Sequence, residues 1–125
     1  MNLQGKRVLV VEDEVLLAML LEDVFADAGA HVVGPAATVD QAIALIASED
    51  IDVALLDVWL RDQRSDPIAE ALRLQGVPYV LATGYMSPDG AELASAPTLA
   101  KPYRLEQVHA ALIAALQDKA SDGEQ

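Results

Sequence analysis

A three-layer α/β domain built on a parallel five-stranded sheet is the fold class this chain predicts. Two observations carry the prediction. Five short apolar, β-branched runs alternate with stretches whose apolar residues recur at helical spacing, as in parallel strands joined by crossover helices. Several of those runs are apolar at almost every position and end on a polar residue, as strands covered on both faces do. A length of 125 residues suits one such domain and is too short for two cores.

The elements follow in order. Lys6 to Val11 is a basic start and then an apolar run, Val8-Leu9-Val10-Val11, that stops at Glu12-Asp13-Glu14: a buried first strand. From Glu14 to Ala28, the spacing of Leu17, Leu20, Leu21, Val24 and Ala28 predicts an amphipathic helix, with Gly29 as its C-terminal cap. His31-Val32-Val33 reads as an edge strand stopped by Gly34-Pro35. Thr38-Val39-Asp40-Gln41 has capping-box spacing and opens a second helix whose apolar face is Ala42, Ile43, Ile46 and Ala47.

Ile51 to Leu56 is the third strand and closes on Asp57. Asp57 to Ser65 reads as a polar loop, and Asp66-Pro67 offers an N-cap followed by proline at the first helical position. That helix runs to about Gln75 and is ended by Gly76; Val77 to Ala82 is the fourth strand, with Thr83-Gly84-Tyr85 just past its end. Ser87-Pro88 offers a helix start, but Gly90 lies inside it and only Leu93 is a large apolar anchor, so a short helix or a mobile segment is expected. Pro97 to Ala100 is the fifth strand and leads to Lys101-Pro102; Leu105, Val108, Leu112 and Ala115 mark a last amphipathic helix. From Asp118 a frayed polar tail is expected, giving a domain over residues 1–118 and a tail over 119–125.

Eight basic against twenty acidic residues, a net charge of −12, oppose binding to nucleic acid or to anionic membranes. No cysteine is present, so disulfides and thiolate zinc sites are excluded. The amino terminus has no secretory pattern and no apolar run approaches the ~18 residues of a membrane span, so a cytoplasmic protein is expected. The helix faces are no more apolar than a core requires, which points to a monomer.

The residues that carry chemistry all stand at carboxyl ends of strands: Glu12 and Asp13 after the first, Asp57 after the third, Thr83 after the fourth, Lys101 after the fifth. In the winding order 2-1-3-4-5 the first and third strands are neighbours, and ligands bind beyond their carboxyl ends. Three carboxylates there repel one another unless a cation intervenes, and a hard divalent ion such as Mg2+ suits oxygen ligands and a phosphoryl group together. With the metal, Lys101, the Thr83 hydroxyl and backbone N–H groups neutralising the transferred group, Asp57 is placed to attack phosphorus and become an aspartyl phosphate. Taken singly, each residue has a plainer explanation: a solvated turn, a helix cap, an exposed lysine. The coincidence at successive strand ends is what points to chemistry.

From about Lys6 to Leu116 the chain resembles a stand-alone response-regulator receiver domain, a flavodoxin-like (βα)5 sandwich. The resemblance implies that Asp57 accepts a phosphoryl group from the phosphohistidine of a histidine kinase or histidine phosphotransfer protein. It implies Mg2+ held by Asp13, Asp57 and the backbone carbonyl of Trp59, with Glu12 acting mostly through water. Thr83 and Lys101 would bind the phosphoryl oxygens, supported by the N–H groups of Trp59 and Gly84, and the Lys101–Pro102 bond could be cis. Such a protein is no enzyme in the usual sense: it assists its own phosphorylation and slow dephosphorylation, then signals to a separate protein or drains phosphoryl groups from a relay.

Departures from the commoner pattern are also visible. Thr98 stands where receivers usually carry an aromatic switch residue, and Pro78 to Tyr85 resembles instead a subgroup with a Phe-Ala-Thr-Gly-(any)-Tyr-like signature, an affinity shared by Asp66-Pro67-Ile68-Ala69. Trp59 and Tyr85, two positions after Asp57 and Thr83, would overhang the phosphoryl group and slow its hydrolysis. His109 has no acidic partner set and is not read as a phosphohistidine. The alternative is a pseudo-receiver that keeps the fold for protein contacts alone, against which the joint retention of Glu12, Asp13, Asp57, Thr83 and Lys101 argues. A haloacid-dehalogenase-type phosphatase would need an acid where Trp59 stands, and a nucleotide-binding protein would need a phosphate-cradling loop where Glu12-Asp13-Glu14 stands.

Overall fold

The computed structural model of the chain describes residues 2–60, 63–83, 97–101 and 103–123, with Thr83, Ala100 and residues 120–123 by their backbone only. Its elements run β1 (Arg7–Val11), α1 (Val15–Asp27), β2 (His31–Ala36), α2 (Val39–Ser48), β3 (Val53–Asp57), β4 (Trp59–Leu60), β5 (Gln63–Arg64), α3 (Asp66–Leu74), β6 (Tyr79–Thr83), β7 (Thr98–Ala100) and α4 (Leu105–Gly123). The main sheet is β2-β1-β3-β6-β7, every neighbouring pair parallel. This is the expected 2-1-3-4-5 winding, renumbered because a small antiparallel β4–β5 hairpin interrupts the count. Gly84, Tyr85, the Ser87–Ser95 stretch and the Lys101–Pro102 bond, each given a role above, lie outside the described residues.

Side chains alternate across the strands and so feed two cores. Leu9, Val11, Ala54, Leu56 and Leu81 face Val39, Ala42, Ile46, Ile68 and Leu72 of α2 and α3. On the opposite face Val8, Val10, Val53, Leu55 and Val80 meet Leu21 and Phe25 of α1 and Val108, Leu112 and Ala115 of α4. Every residue of β3, Asp57 included, is buried. A carboxylate at the end of a strand so enclosed sits on a rigid platform.

Several expectations are corrected in detail. The buried stripe of α1 is Ala18, Leu21 and Phe25, while Leu20 is 47% exposed. On α2 it is Val39, Ala42 and Ile46, with Ile43 and Ala47 turned outward. Helical periodicity fixes the existence of a stripe, and contact with the sheet fixes its rotation. Gly29 does follow α1 with φ +81°, and the N–H groups of Gly29 and Ala30 close on the carbonyls of Ala26 and Phe25.

β2 does not stop at Gly34-Pro35 but continues to Ala36, through a cis Gly34–Pro35 peptide and a register shift opposite Leu9 and Val11. Proline is tolerated because β2 is an edge strand. Gly34 has φ +95°, and a Cβ there would lie 2.8 Å from the Ala36 backbone nitrogen and 3.1 Å from the Val10 carbonyl oxygen. Gly34→Ala is therefore expected to cost on the order of 2 kcal/mol and to lower the thermal midpoint by roughly 10 °C. An unchanged midpoint would mean that this edge of the sheet yields freely.

The loop after Asp57 is more structured than expected, since it holds the β4–β5 hairpin and buries Val58 and Leu60. The residue that precedes α3 is Ser65 and not Asp66, and it makes no side-chain capping bond; Asp66 opens the helix, and its carboxylate accepts a bond from Arg64 Nε at 2.8 Å. At the other end of the chain α4 continues past Asp118 to Gly123, where a frayed tail was expected. Among the described residues no helix is long and apolar enough to cross a membrane.

Candidate functional site

Parallel pairing brings the site together. β1 and β3 are in register up to Val11 opposite Leu56, so Glu12 and Asp57 leave adjacent strands side by side. Asp57 lies opposite Ala82 of β6, and Thr83 lies opposite Ala100 of β7, after which Lys101 follows directly. The Glu12 N–H donates to the Ala36 carbonyl at 2.9 Å, so the extension of β2 beyond its proline also fixes the first acid.

Lys101 is the centre of the cluster. Its Nζ lies 2.9 Å from Asp57 Oδ2, 3.0 and 3.4 Å from the two Glu12 carboxylate oxygens and 3.9 Å from Glu14 Oε1. Asp57 Oδ1 accepts a longer bond, 3.4 Å, from the Trp59 backbone N–H. One carboxylate oxygen from each of Glu12, Asp13 and Asp57 lies within 4.8 Å of the other two. Glu12 is 4% exposed and Asp57 7%.

Among the described residues, the converging carboxylates of Glu12, Asp13 and Asp57 outnumber the one ammonium of Lys101 and leave surplus negative charge in a place poorly reached by water, a surplus that a proton can meet. Burial, then the hydrogen bond and charge of Asp57, push the Glu12 carboxyl from 4.5 up to about 8, with Lys101 offsetting only part of this. Burial alone would pull the Lys101 ammonium down, but the hydrogen bonds and charges of Asp57 and Glu12 outweigh it and hold Lys101 above its ordinary value. The Tyr103 hydroxyl is pushed up to about 12, first by burial and then by the charge of Glu12, so it keeps its proton.

A carboxyl whose folded pKa exceeds its unfolded one contributes stability that is complete below 4.5 and lost as pH rises through about 8. In chelator, the metal-free protein is expected to lose a few kcal/mol between about pH 5 and pH 9. The thermal midpoint reads this, and Glu12→Gln should flatten the profile. If the substituted protein kept the same slope, other groups would be responsible.

The donor set fits a hard divalent cation. Carboxylate oxygens of Glu12, Asp13 and Asp57 converge, and the proton retained by Glu12 marks the charge that such an ion would neutralise. Trp59, whose carbonyl the family resemblance puts among the ligands, is tied to Asp57 by its own N–H.

Of the residues singled out in the sequence, Glu12, Asp13, Asp57, Trp59 and Lys101 are brought together, and Thr83 is placed at the same sheet edge by its backbone. Glu14, Leu17 and Tyr103 were not anticipated there, yet with Lys101 they line a crevice of about 320 Å³ beside the cluster. Glu14 had a signal as the third acid of its run; Tyr103 had only its nearness to Lys101. Ser65, wholly buried, was also missed: its N–H and Oγ both donate to the Val58 carbonyl, at 2.9 and 3.1 Å, fixing the peptide next to Asp57.

A family model described as "Response regulator receiver domain" matches residues 8–113. No curated protein matches the chain by sequence. Among solved structures, a CheY-like response regulator receiver domain protein from Methanospirillum hungatei superposes with a TM-score of 0.82 at 24% identity, over 95% of this chain and 99% of that one. SdrG from Sphingomonas melonis, determined in solution, gives 0.76 at 38% identity, over 94% and 99%. A Burkholderia pseudomallei response regulator, whose crystal holds a phosphorylated aspartic acid, a calcium ion and citrate, gives 0.76 at 28% identity, over 94% and 73%.

Proposed function

The chain belongs to the response regulator receiver domain family, and from that premise we propose that Asp57 is a phosphoryl acceptor in two-component signalling. The observation that carries this reading is the position of Asp57: a nearly buried carboxylate at the end of β3, bonded to the Lys101 ammonium at 2.9 Å, with Glu12 and Asp13 beside it. A related structure carries a phosphorylated aspartic acid together with a divalent ion.

In the proposed step an Asp57 carboxylate oxygen forms a bond to phosphorus while the bond from phosphorus to the donor's imidazole nitrogen breaks, and the imidazole takes up a proton. Lys101, already poised over Asp57 and Glu12, neutralises the phosphoryl oxygens; the Trp59 N–H offers a donor at the carboxylate. Magnesium held by Asp13, Asp57 and the Trp59 carbonyl, with Glu12 nearby, would supply further charge neutralisation of the phosphoryl group. The donor is a histidine kinase or histidine phosphotransfer protein, and a protein donor needs a surface at the mouth of the site. Val15, Leu16, Met19 and Leu20 of α1 provide an exposed apolar one directly after Glu14. With phosphoryl transfer complete, the signal passes to a separate protein or the group is lost to water.

The test is intact mass after treatment with acetyl phosphate, with and without magnesium. A gain of one phosphoryl group that needs magnesium is the expected result. No gain, together with no binding of magnesium, would identify the chain as a pseudo-receiver that acts through protein contacts alone.

A further inference from the structure

We propose that Arg64 is a positioning residue for the acceptor site, clamping Trp59 beside Asp57 and thereby prolonging the life of the aspartyl phosphate; this rests on the reading of Asp57 given above. Trp59 sits on a strand of only two residues, directly opposite Arg64 in the antiparallel hairpin. So short a ladder is marginal on its own. What reinforces it is the Arg64 side chain, whose guanidinium carbon lies 5.5 Å from the centre of the Trp59 ring. The same guanidinium is anchored on its other side by the 2.8 Å bond from Nε to Asp66 Oδ1, in the first turn of α3.

Arg64 Nη2 is buried with no hydrogen-bond partner among the described residues. A guanidinium nitrogen so removed from water strengthens the attraction to the ring, although the side chain as a whole stays partly exposed. The hairpin is further tied down by Ser65, which donates twice to the Val58 carbonyl. A mechanical line therefore runs from the start of α3 through Asp66 and Arg64 to the Trp59 ring, and from the Trp59 backbone N–H to Asp57 Oδ1. Loosening Arg64 removes one hold on an indole that is already 36% exposed and weakens the placement of a donor at the acceptor carboxylate. Water then reaches the phosphoryl group more easily.

Trp59 is the only tryptophan of the chain, so its emission reports the clamp directly. The experiment compares native protein, Arg64→Ala, Trp59→Ala and the double variant. Acrylamide quenching of Trp59 emission is read in the first two, and the rate of aspartyl-phosphate loss after acetyl phosphate loading in all four. Arg64→Ala is expected to raise quenching and to speed phosphoryl loss by about three- to fivefold, the loss of one ring–guanidinium contact, and to add nothing in the Trp59→Ala background. Native quenching in Arg64→Ala would overturn the proposal, and so would equal acceleration by Arg64→Ala in both backgrounds, the mark of a structural effect independent of Trp59. If the native chain takes up no phosphoryl group and binds no magnesium, the functional reading of Asp57 fails, and with it the effect on lifetime; the quenching comparison then still decides whether Arg64 holds Trp59.

Discussion

Asp57→Asn is expected to abolish the magnesium-dependent gain of one phosphoryl group, a loss of at least about a thousandfold in rate, because an amide of the same shape is no nucleophile for phosphorus. The same substitution should make the metal-free protein more stable. Burial is the leading cause that raises the Glu12 carboxyl, but the hydrogen bond and charge of Asp57 come next. Removing that charge leaves Glu12 and Asp13 sharing Lys101, so the repulsion eases and the Glu12 pKa falls back toward its ordinary range. Two independent readouts thus move in opposite directions: phosphorylation disappears and the thermal midpoint at about pH 8 rises. Undiminished phosphorylation of Asp57→Asn would place the acceptor elsewhere in the chain.

Lys101→Met should do nearly the reverse to stability. The ammonium bridges two buried carboxylates at 2.9 and 3.0 Å, and removing one partner of a buried ion pair costs roughly 3 kcal/mol or more. Part of that loss is offset as Glu12 takes up its proton more fully, so the deficit should widen as pH rises and shrink when magnesium is added. Phosphorylation by acetyl phosphate should slow by about a hundred- to a thousandfold, the effect of deleting one preorganised donor to developing phosphoryl charge. A native rate in Lys101→Met would show that the lysine serves the fold alone. The acetyl phosphate reaction and a chelator-versus-magnesium melt measure the two effects on one sample.

The parts of this site that were legible in the sequence are those governed by short-range rules. An apolar run that ends on an acid marks a strand and its carboxyl end, and parallel winding then sends Glu12, Asp13, Asp57 and Lys101 to one edge. The remainder depends on contacts that no local pattern encodes. The rotation of α1 that buries Phe25 and exposes Leu20 is decided by the sheet beneath it. The passage of β2 through Gly34-Pro35 depends on its place at the edge, and strands as short as β4 and β5 have no periodicity to detect. Ser65 looked like one more polar loop residue, yet it is fully buried and its importance lies in the tertiary bond to Val58.

Lys101 meets Asp57 across 44 positions of sequence and Glu12 across 89. Contacts so distant carry a larger loop-closure cost than the local ones. A chain emerging from the ribosome therefore carries its three acids long before their counter-charge arrives. The ammonium that offsets them arrives only with the seating of β7, so a half-made or clipped molecule would hold its carboxylates at one sheet edge with nothing to balance their charge.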